Sequence, residues 1–365
     1  MNSNENSRSP LCTLYAIMGS GGRKKYVNFL SGRIKKKRLD YRSSLKNINS
    51  ILIILPDDIL EALYQLESIM SVMAEYSSAK TYILASESCK PWFENIHGIT
   101  DLFTYSSKEN CFANSDITSV KQKLRKLSID ICLVLDKKPP LIISYIIAKI
   151  SPSLRVAYKD ALPFPFANVR VALSEENTHI IKKNLSLIKI LNIPPVKSVK
   201  WSVPKERLEE IKLLLIENKI ARSARFGVVD LTYIVKRYGE EWAEKLVRNI
   251  VTKTDSLKWV IYIEKRPETD KLKQWYASFD LPVFFEFSSS RLTALLSKSK
   301  ITLSGRSYIF ELTNLLHKKS IGLFFEDEIV TYCNSSKLST GIVVEKKPAE
   351  NSIEIVTKKV LDLYI

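Results

Sequence analysis

Cationic side chains follow two predicted strands in the second half of the chain. Lys265 and Arg266 come directly after one apolar run, and Arg306 comes just after another. Because parallel strands end at the same edge of a sheet, these cations are predicted to border one groove, where Arg306 would hold a phosphate. The alternative interpretations are a surface arginine for Arg306 and a solvated loop for Lys265 and Arg266.

The other reactive residue types exclude several classes of enzyme. His97, His179 and His317 are scattered, without the spacing of a metal site. The five cysteines form no C-x-x-C pair, which is typical of a reducing compartment. Neither a G-x-S-x-G elbow nor a kinase signature occurs. The sequence therefore predicts no metal site, no bound cofactor and no hydrolase or kinase chemistry.

Positive charge is concentrated at the start of the chain. The formal net charge is +17, and residues 1–50 hold eleven Lys or Arg against Glu5 and Asp40, a net of +9. The densest run comprises Arg33, Lys35, Lys36, Lys37 and Arg38, and Tyr26, Leu30 and Ile34 recur at helical spacing beside it. Such segments bind anionic lipid headgroups or nucleic-acid phosphates.

We predict that residues 1–48 form a basic arm that adds little to folding and attaches the protein to an anionic membrane. Nucleic acid is the less favoured partner, and a solvated tail is the alternative interpretation. No apolar stretch approaches the roughly 20 residues that cross a bilayer. The predicted location is the cytoplasm, with peripheral contact at the inner membrane face.

From residue 49 onward, strands and helices alternate twice. The continuous apolar runs are typical of buried parallel strands, and Asp57 and Asp58 mark a helix start by their capping ability. Pro194 and Pro195 separate the halves, so the predicted domains are residues 49–200 and 201–365. The fold class is α/β, with two Rossmann-like, doubly wound parallel sheets facing a cleft. The predicted strands are Ile51–Leu55, Lys80–Ala85, Leu102–Tyr105, Ile129–Leu135, Leu154–Tyr158 and Val169–Leu173, then Arg225–Val229, Lys258–Ile263, Val283–Glu286, Ile301–Ser304 and Ser320–Phe325.

Three segments carry a resemblance to a known family. Ile51–Thr104 combines an apolar strand, a short loop ending in Asp58 and a long helix; Val134–Asp136 is a strand that ends in an Asp; and Ser288–Phe325 aligns without a gap. This pattern resembles the family 9 glycosyltransferases, the lipopolysaccharide heptosyltransferases of the GT-B fold. The resemblance implies an acceptor-side first domain, a donor-side second domain, a nucleotide-sugar co-substrate and a lipid-linked or lipopolysaccharide glycan acceptor.

The resemblance also implies roles for individual residues. Asp58 stands at the position of the family's candidate base, where an N-cap is its alternative role. Arg306 and Ser307 fall in the donor-binding segment, and Glu268 falls where the family often has a Glu. Lys265, Arg266 and Arg306 would neutralise the departing diphosphate without a metal, as an inverting transferase requires.

The donor segment departs from the family pattern. The family's Asp, Gly and His are here Arg306, Tyr308 and Glu311. A tyrosine cannot let the backbone approach a diphosphate as a glycine does. Two hypotheses follow: an active heptosyltransferase-like enzyme, or a degenerate relative that keeps the GT-B fold and serves as a binding or scaffold protein.

Overall fold

The computed structural model describes residues 28–32, 34, 41–106, 115–173, 178–196, 198–199, 201–333 and 335–364. The chain divides into two compact units, and the main break between them falls between Ser198 and Val199. Among the described residues, no helix combines the length and the apolar character needed to span a bilayer.

The first unit is built on a six-stranded sheet. Its strands pair in parallel in the order β3-β2-β1-β4-β5-β6. All five residues of β1 are buried, because helices cover both faces of a parallel sheet. The elements are α1 (Tyr41–Ser44), β1 (Ser50–Ile54), α2 (Ile59–Leu63), α3 (Leu66–Glu75), β2 (Lys80–Ser86), α4 (Lys90–Phe93), β3 (Ile99–Tyr105), α5 (Ser115–Arg125), β4 (Ile131–Val134), α6 (Leu141–Ile150), β5 (Leu154–Tyr158), β6 (Val169–Val171), α7 (Ile180–Asn184) and α8 (Ser186–Lys189).

The second unit repeats this architecture. Its parallel sheet has the order β12-β11-β10-β7-β8-β9, which is the same order as in the first unit once its strands are numbered from β7. The elements are α9 (Lys205–Glu217), β7 (Phe226–Asp230), α10 (Leu231–Tyr238), α11 (Glu240–Lys253), β8 (Lys258–Ile263), α12 (Asp270–Ala277), β9 (Val283–Phe285), α13 (Ser289–Lys298), β10 (Ile301–Gly305), α14 (Tyr308–Leu315), β11 (Lys319–Phe324), α15 (Glu326–Tyr332), β12 (Ser339–Val343) and α16 (Asn351–Tyr364).

These two sheets confirm the predicted α/β class and the Rossmann-like parallel topology. In each sheet the strand order reverses beside the first strand, so one switch point lies between β1 and β4 and the other between β7 and β10. Ligands of such sheets bind beyond the carboxyl ends of the strands at this point. The loops after these four strands are therefore the places to look for a site.

The structure adds elements that the sequence pattern did not predict. Strand β12 and helices α9, α10 and α15 were all absent from the prediction. The single long helix predicted after Asp58 is instead two helices, α2 and α3. At the junction the buried Gln65 side chain donates to the Leu135 carbonyl and to the Tyr158 hydroxyl, each at 3.1 Å.

The expectation that residues 1–48 add little to folding is wrong at two positions. Leu30 and Ile34 are 1% and 2% exposed and belong to the core cluster of the first unit. Full burial of a Leu or Ile side chain contributes about 1.5–3 kcal/mol, so part of the arm stabilises this unit. The predicted anion-contact residues, Arg33, Lys35, Lys36, Lys37 and Arg38, lie outside the described residues.

Candidate functional site

A buried carboxylate organises the switch point of the second sheet. Asp230 ends β7 and is only 2% exposed. It accepts hydrogen bonds from the Ser304 hydroxyl at 2.6 Å, the Ser307 hydroxyl at 2.9 Å and the Tyr233 backbone N–H at 3.2 Å. Burial raises the pKa of Asp230 to about 6, against the lowering effect of these donors. Asp230 thereby ties the end of β10 to the start of α14.

Two guanidinium groups lie near the N-terminus of α14. Ser307 caps the helix, since its Oγ accepts from the Phe310 N–H at 3.4 Å. Arg306 precedes it, and its Nη1 lies 3.5 Å from Oε1 of Glu328, a carboxylate that also pairs with Arg237. With the Asp230 carboxylate on Ser307, the two guanidinium charges face two carboxylates, and the helix N-terminus adds the partial positive charge of its dipole.

Aromatic rings hold both arginines in place. The Arg306 guanidinium carbon lies 3.7 Å from the Tyr332 ring centroid, and that of Arg237 lies 3.8 Å from the Phe325 ring centroid. Contacts of this kind with partly buried arginines stabilise by about 0.5–2 kcal/mol and fix the orientation of the guanidinium plane. The cationic groups are consequently preorganised rather than free in solvent.

Tyrosine rings pack at the end of β10 and at the start of α14. The Tyr233 ring packs over Gly305, at which an added Cβ would lie 1.9 Å from Cε1 of that ring. Tyr308 is the first residue of α14, and burial beside Tyr262 raises the pKa of its hydroxyl. The absence of a side chain at Gly305 therefore makes room for the Tyr233 ring of the same unit.

Carboxylates line the switch point of the first sheet. Asp58 is exposed at the N-cap of α2 and accepts from the Glu61 N–H at 3.0 Å, while Asp57 accepts from the Tyr105 hydroxyl. Asp136, after β4, accepts from the Lys138 N–H at 2.7 Å. Burial first, then nearby Asp57 and Glu61, raise the pKa of Asp136 to about 6. A carboxylate with a pKa near 6, such as Asp136, can accept a proton near neutral pH.

Solved structures with the same architecture include a member of glycosyl transferase family 9. The glycosyl transferase family 9 protein from Veillonella parvula DSM 2008 superposes with a TM-score of 0.74, covering 88% of this chain and 98% of that chain at 11% identity. The chain has the fold of the family 9 glycosyltransferases. The architecture that the sequence resemblance implied is thus confirmed.

Two Escherichia coli enzymes also share the glycosyltransferase fold. ADP-heptose lps heptosyltransferase II gives a TM-score of 0.69 at 11% identity, covering 86% of this chain and 98% of that chain. Heptosyltransferase WaaC with ADP-2-deoxy-2-fluoro heptose gives 0.64 at 11% identity, covering 86% and 99%. No protein-family profile and no curated protein sequence matches the chain. At this identity the likeness shows the fold alone.

On this glycosyltransferase fold, the sequence-predicted residues fall into two groups. Arg306 and Ser307 adjoin at the start of α14, and Arg306 is partly buried rather than a surface side chain. The loop after β8 carries Lys265, Arg266 and Glu268, all exposed, and the Arg266 Nε lies 3.3 Å from Oε2 of Glu286. Asp58 is a helix cap, as its alternative interpretation states, and its proposed catalytic role stays a prediction.

Three residues at the switch point of the second sheet were not predicted from the sequence. Asp230 carried a signal, because it ends an apolar run directly before a helix with helical spacing of its apolar residues. No sequence pattern indicated Arg237 and Glu328, since 91 residues separate them in the chain. Only the fold brings α10 and α15 together so that this ion pair forms.

Glu311 makes the stability of the second unit depend on pH. Its side chain is 4% exposed, and burial raises the pKa of its carboxyl from 4.5 to about 7. The native state then holds a proton that the unfolded chain loses, so stability should fall as the pH rises from 4.5 to about 7, by up to about 3 kcal/mol. Glu311→Gln stays neutral and should be more stable than wild type at pH 8 by a similar amount.

Urea unfolding at pH 5 and pH 8 measures this effect. At pH 5 the difference between the variant and the wild type should shrink to about 1 kcal/mol. Glu345→Gln, at an exposed glutamate, is the matched control and should follow the wild type at both pH values. A Glu311→Gln protein with wild-type stability at pH 8 would show that the buried carboxyl is not the source of the pH dependence.

Proposed function

We propose that the chain is a glycosyltransferase that moves a sugar from a nucleotide-sugar donor to a lipid-linked or lipopolysaccharide glycan. The observation that carries the proposal is the N-terminus of α14 at the switch point of the second sheet, with Arg306 and Arg237 sharing the carboxylate Glu328 beside it. The fold supports it, since structures with this fold include an ADP-heptose heptosyltransferase and a complex with an ADP-fluoroheptose.

The second unit acts as the donor side. As the bond from the anomeric carbon to the diphosphate oxygen breaks, negative charge grows on the leaving diphosphate. Arg306, Arg237 and the α14 N-terminus stabilise that charge without a metal. Ser307 contacts the same anion through its backbone, held in place by Asp230. Lys265, Arg266 and Glu268, in the loop after β8, bind outer parts of the donor.

The first unit acts as the acceptor side. Asp58 is the general base: it takes the proton of the acceptor hydroxyl as the oxygen bonds to the anomeric carbon from the face opposite the diphosphate, which inverts the configuration. Its exposed position at the end of β1 leaves it accessible to an acceptor. The protein works in the cytoplasm, and Arg33, Lys35, Lys36, Lys37 and Arg38 attach it to the inner membrane face, where a lipid-linked acceptor lies.

Arg306→Ala tests the assignment of the diphosphate site. Loss of a charge-assisted hydrogen bond typically costs 1.5–3 kcal/mol, so affinity for ADP, UDP or GDP should fall about ten- to a hundredfold. Glu328 keeps Arg237 as its partner, and the fold should survive. Isothermal titration calorimetry measures the affinity. Arg207→Ala, at an exposed arginine paired with Glu210, is the control and should bind as wild type. Equal affinity of Arg306→Ala and wild type for the nucleotide would show that Arg306 does not bind the diphosphate.

A specific observation also favours the second candidate function, a GT-B-fold scaffold without transferase activity. Tyr308 and Tyr233 stand where a diphosphate would meet the backbone of the donor segment. If these rings exclude the donor, the wild type binds no nucleotide sugar. Donor binding by the wild type therefore separates the two functions.

A further inference from the structure

A second basic surface lies on the first unit, outside the donor and acceptor regions. It consists of five cations on two adjacent helices, and we call it the basic seam: Lys121, Lys123, Arg125 and Lys126 at the end of α5, and Lys149 on α6. Lys123, Arg125 and Lys126 are exposed, and the other two are partly buried. The function proposed above makes no use of this surface.

The described residues offer the cations of the seam no carboxylate partner. Within the part of the chain that the structure describes, none of the five makes a salt bridge or a side-chain hydrogen bond. Other exposed cations of the chain do pair, as Arg207, Lys245 and Arg248 show. Unpaired like charges repel each other, and an external anion relieves that repulsion.

Two of the ammonium groups share one aromatic ring. Lys121 Nζ lies 5.8 Å and Lys149 Nζ lies 5.5 Å from the ring centroid of Tyr145, between α5 and α6. The cation–π contacts hold both lysines at the junction of the helices instead of letting them extend separately. The ring is also occupied by these contacts, so it does not serve as a stacking platform of the kind that single-stranded nucleic acids use.

An exposed aromatic side chain lies on the same face of the sheet. The core cluster beneath the seam includes Leu52 and Ile54, alternate residues of β1 that point to one face, together with Val120 of α5 and Ile143 of α6. Leu30 belongs to this same cluster, and its neighbour Phe29 is 55% exposed. Cations and an exposed aromatic on one face are the combination that membrane interfaces accept.

We propose that the basic seam is a docking surface for an anionic phospholipid bilayer, with its cations on the lipid phosphates and Phe29 at the acyl boundary. The proposal concerns residues of α5 and α6, not the basic run of the arm, and it does not depend on sugar transfer. Charge complementarity favours the bilayer, and the occupied Tyr145 ring disfavours nucleic acid.

Vesicle flotation of the full chain tests the proposal. Wild type should bind vesicles of phosphatidylglycerol and phosphatidylcholine, and should not bind pure phosphatidylcholine. Each cation near an anionic surface increases the membrane partition coefficient about fivefold. The variant Lys121→Gln/Lys123→Gln/Arg125→Gln/Lys126→Gln/Lys149→Gln should therefore bind at least a hundredfold more weakly.

Two further variants make the result specific. A control replaces five exposed lysines of the second unit by Gln (Lys253, Lys271, Lys347, Lys358 and Lys359), which removes the same net charge and should leave most of the binding intact. Replacing the four seam lysines by Arg keeps the charge and should keep wild-type binding, even if the Gln variant folds poorly.

Four outcomes would overturn the proposal. The first is wild-type vesicle binding by a folded Gln variant, and the second is loss of binding in the Arg variant. The third is an equal loss in the seam and control variants, which would show a general charge effect. The fourth is a wild-type protein that does not bind the vesicles but binds a single-stranded RNA oligonucleotide through the seam, which would make nucleic acid the partner.

Discussion

Replacing Asp58 with asparagine should lower the rate of sugar transfer by about 10²–10⁴ while the melting temperature stays nearly unchanged. Asn cannot accept the proton of the acceptor hydroxyl, and a positioned general base typically contributes a factor of this size. Asn caps a helix about as well as Asp does, so the contact to the Glu61 N–H should persist. Single-turnover transfer from the donor, measured beside a thermal melt, separates the two roles.

Two companion variants identify the proton acceptor. Asp58→Ala removes the cap as well and should add a stability loss of about 1 kcal/mol to the same loss of rate. Asp136→Asn tests whether the base is instead the buried Asp136 carboxyl of the same unit, whose pKa is raised to about 6. Full activity of Asp58→Asn together with an inactive Asp136→Asn would identify Asp136 as the general base.

Leu30→Ala and Ile34→Ala should each lower the free energy of unfolding by about 2–5 kcal/mol. Both side chains are almost fully buried in the core of the first unit, so truncation leaves a cavity there. Urea unfolding of the full chain measures the loss. Leu213→Ala is the matched control, because Leu213 is 62% exposed and its truncation should change stability little. If Leu30→Ala unfolds at the wild-type midpoint, residues 1–48 do not contribute to folding as the structure indicates.

The parts of the fold that could be read from the sequence are those with an unbroken apolar period. β5 and β8 have the predicted bounds, Leu154–Tyr158 and Lys258–Ile263, because continuous apolar runs between polar segments leave few alternatives. β12 was missed because Ser339–Val343 contains serine, threonine and glycine and lies at the edge of the sheet, where half its side chains need not be apolar.

The arm shows a second limit of sequence reasoning. The helical spacing of Leu30 and Ile34 was visible beside the basic run, but the same spacing suits a membrane-binding helix and a helix packed on a core. Only the apolar face of the first sheet, which is assembled from strands far along the chain, decides between them for these two residues.

The candidate site was predictable where a residue follows a strand and not where it depends on distant elements. Arg306 and Ser307 were found because the end of β10 could be recognised. Other contacts join different elements of the unit, as in the Arg237–Glu328 pair and the Tyr233 ring over Gly305. No local sequence pattern predicts such contacts. The substitution of Tyr308 for the family's glycine was visible in the sequence, whereas its burial beside Tyr262 was not.

A thermal-shift screen against ADP-, UDP- and GDP-sugars tests the central claim most directly, since a ligand that binds only the native state raises the melting temperature. At least one nucleotide sugar should raise the melting temperature of wild type progressively with concentration, with a stabilisation of about 2.7 kcal/mol at a hundred times its Kd, and Arg306→Ala should remove about half of that stabilisation or more. If no nucleotide sugar at millimolar concentration shifts the melting temperature of the wild type, the proposed transferase function is wrong and the scaffold function is favoured.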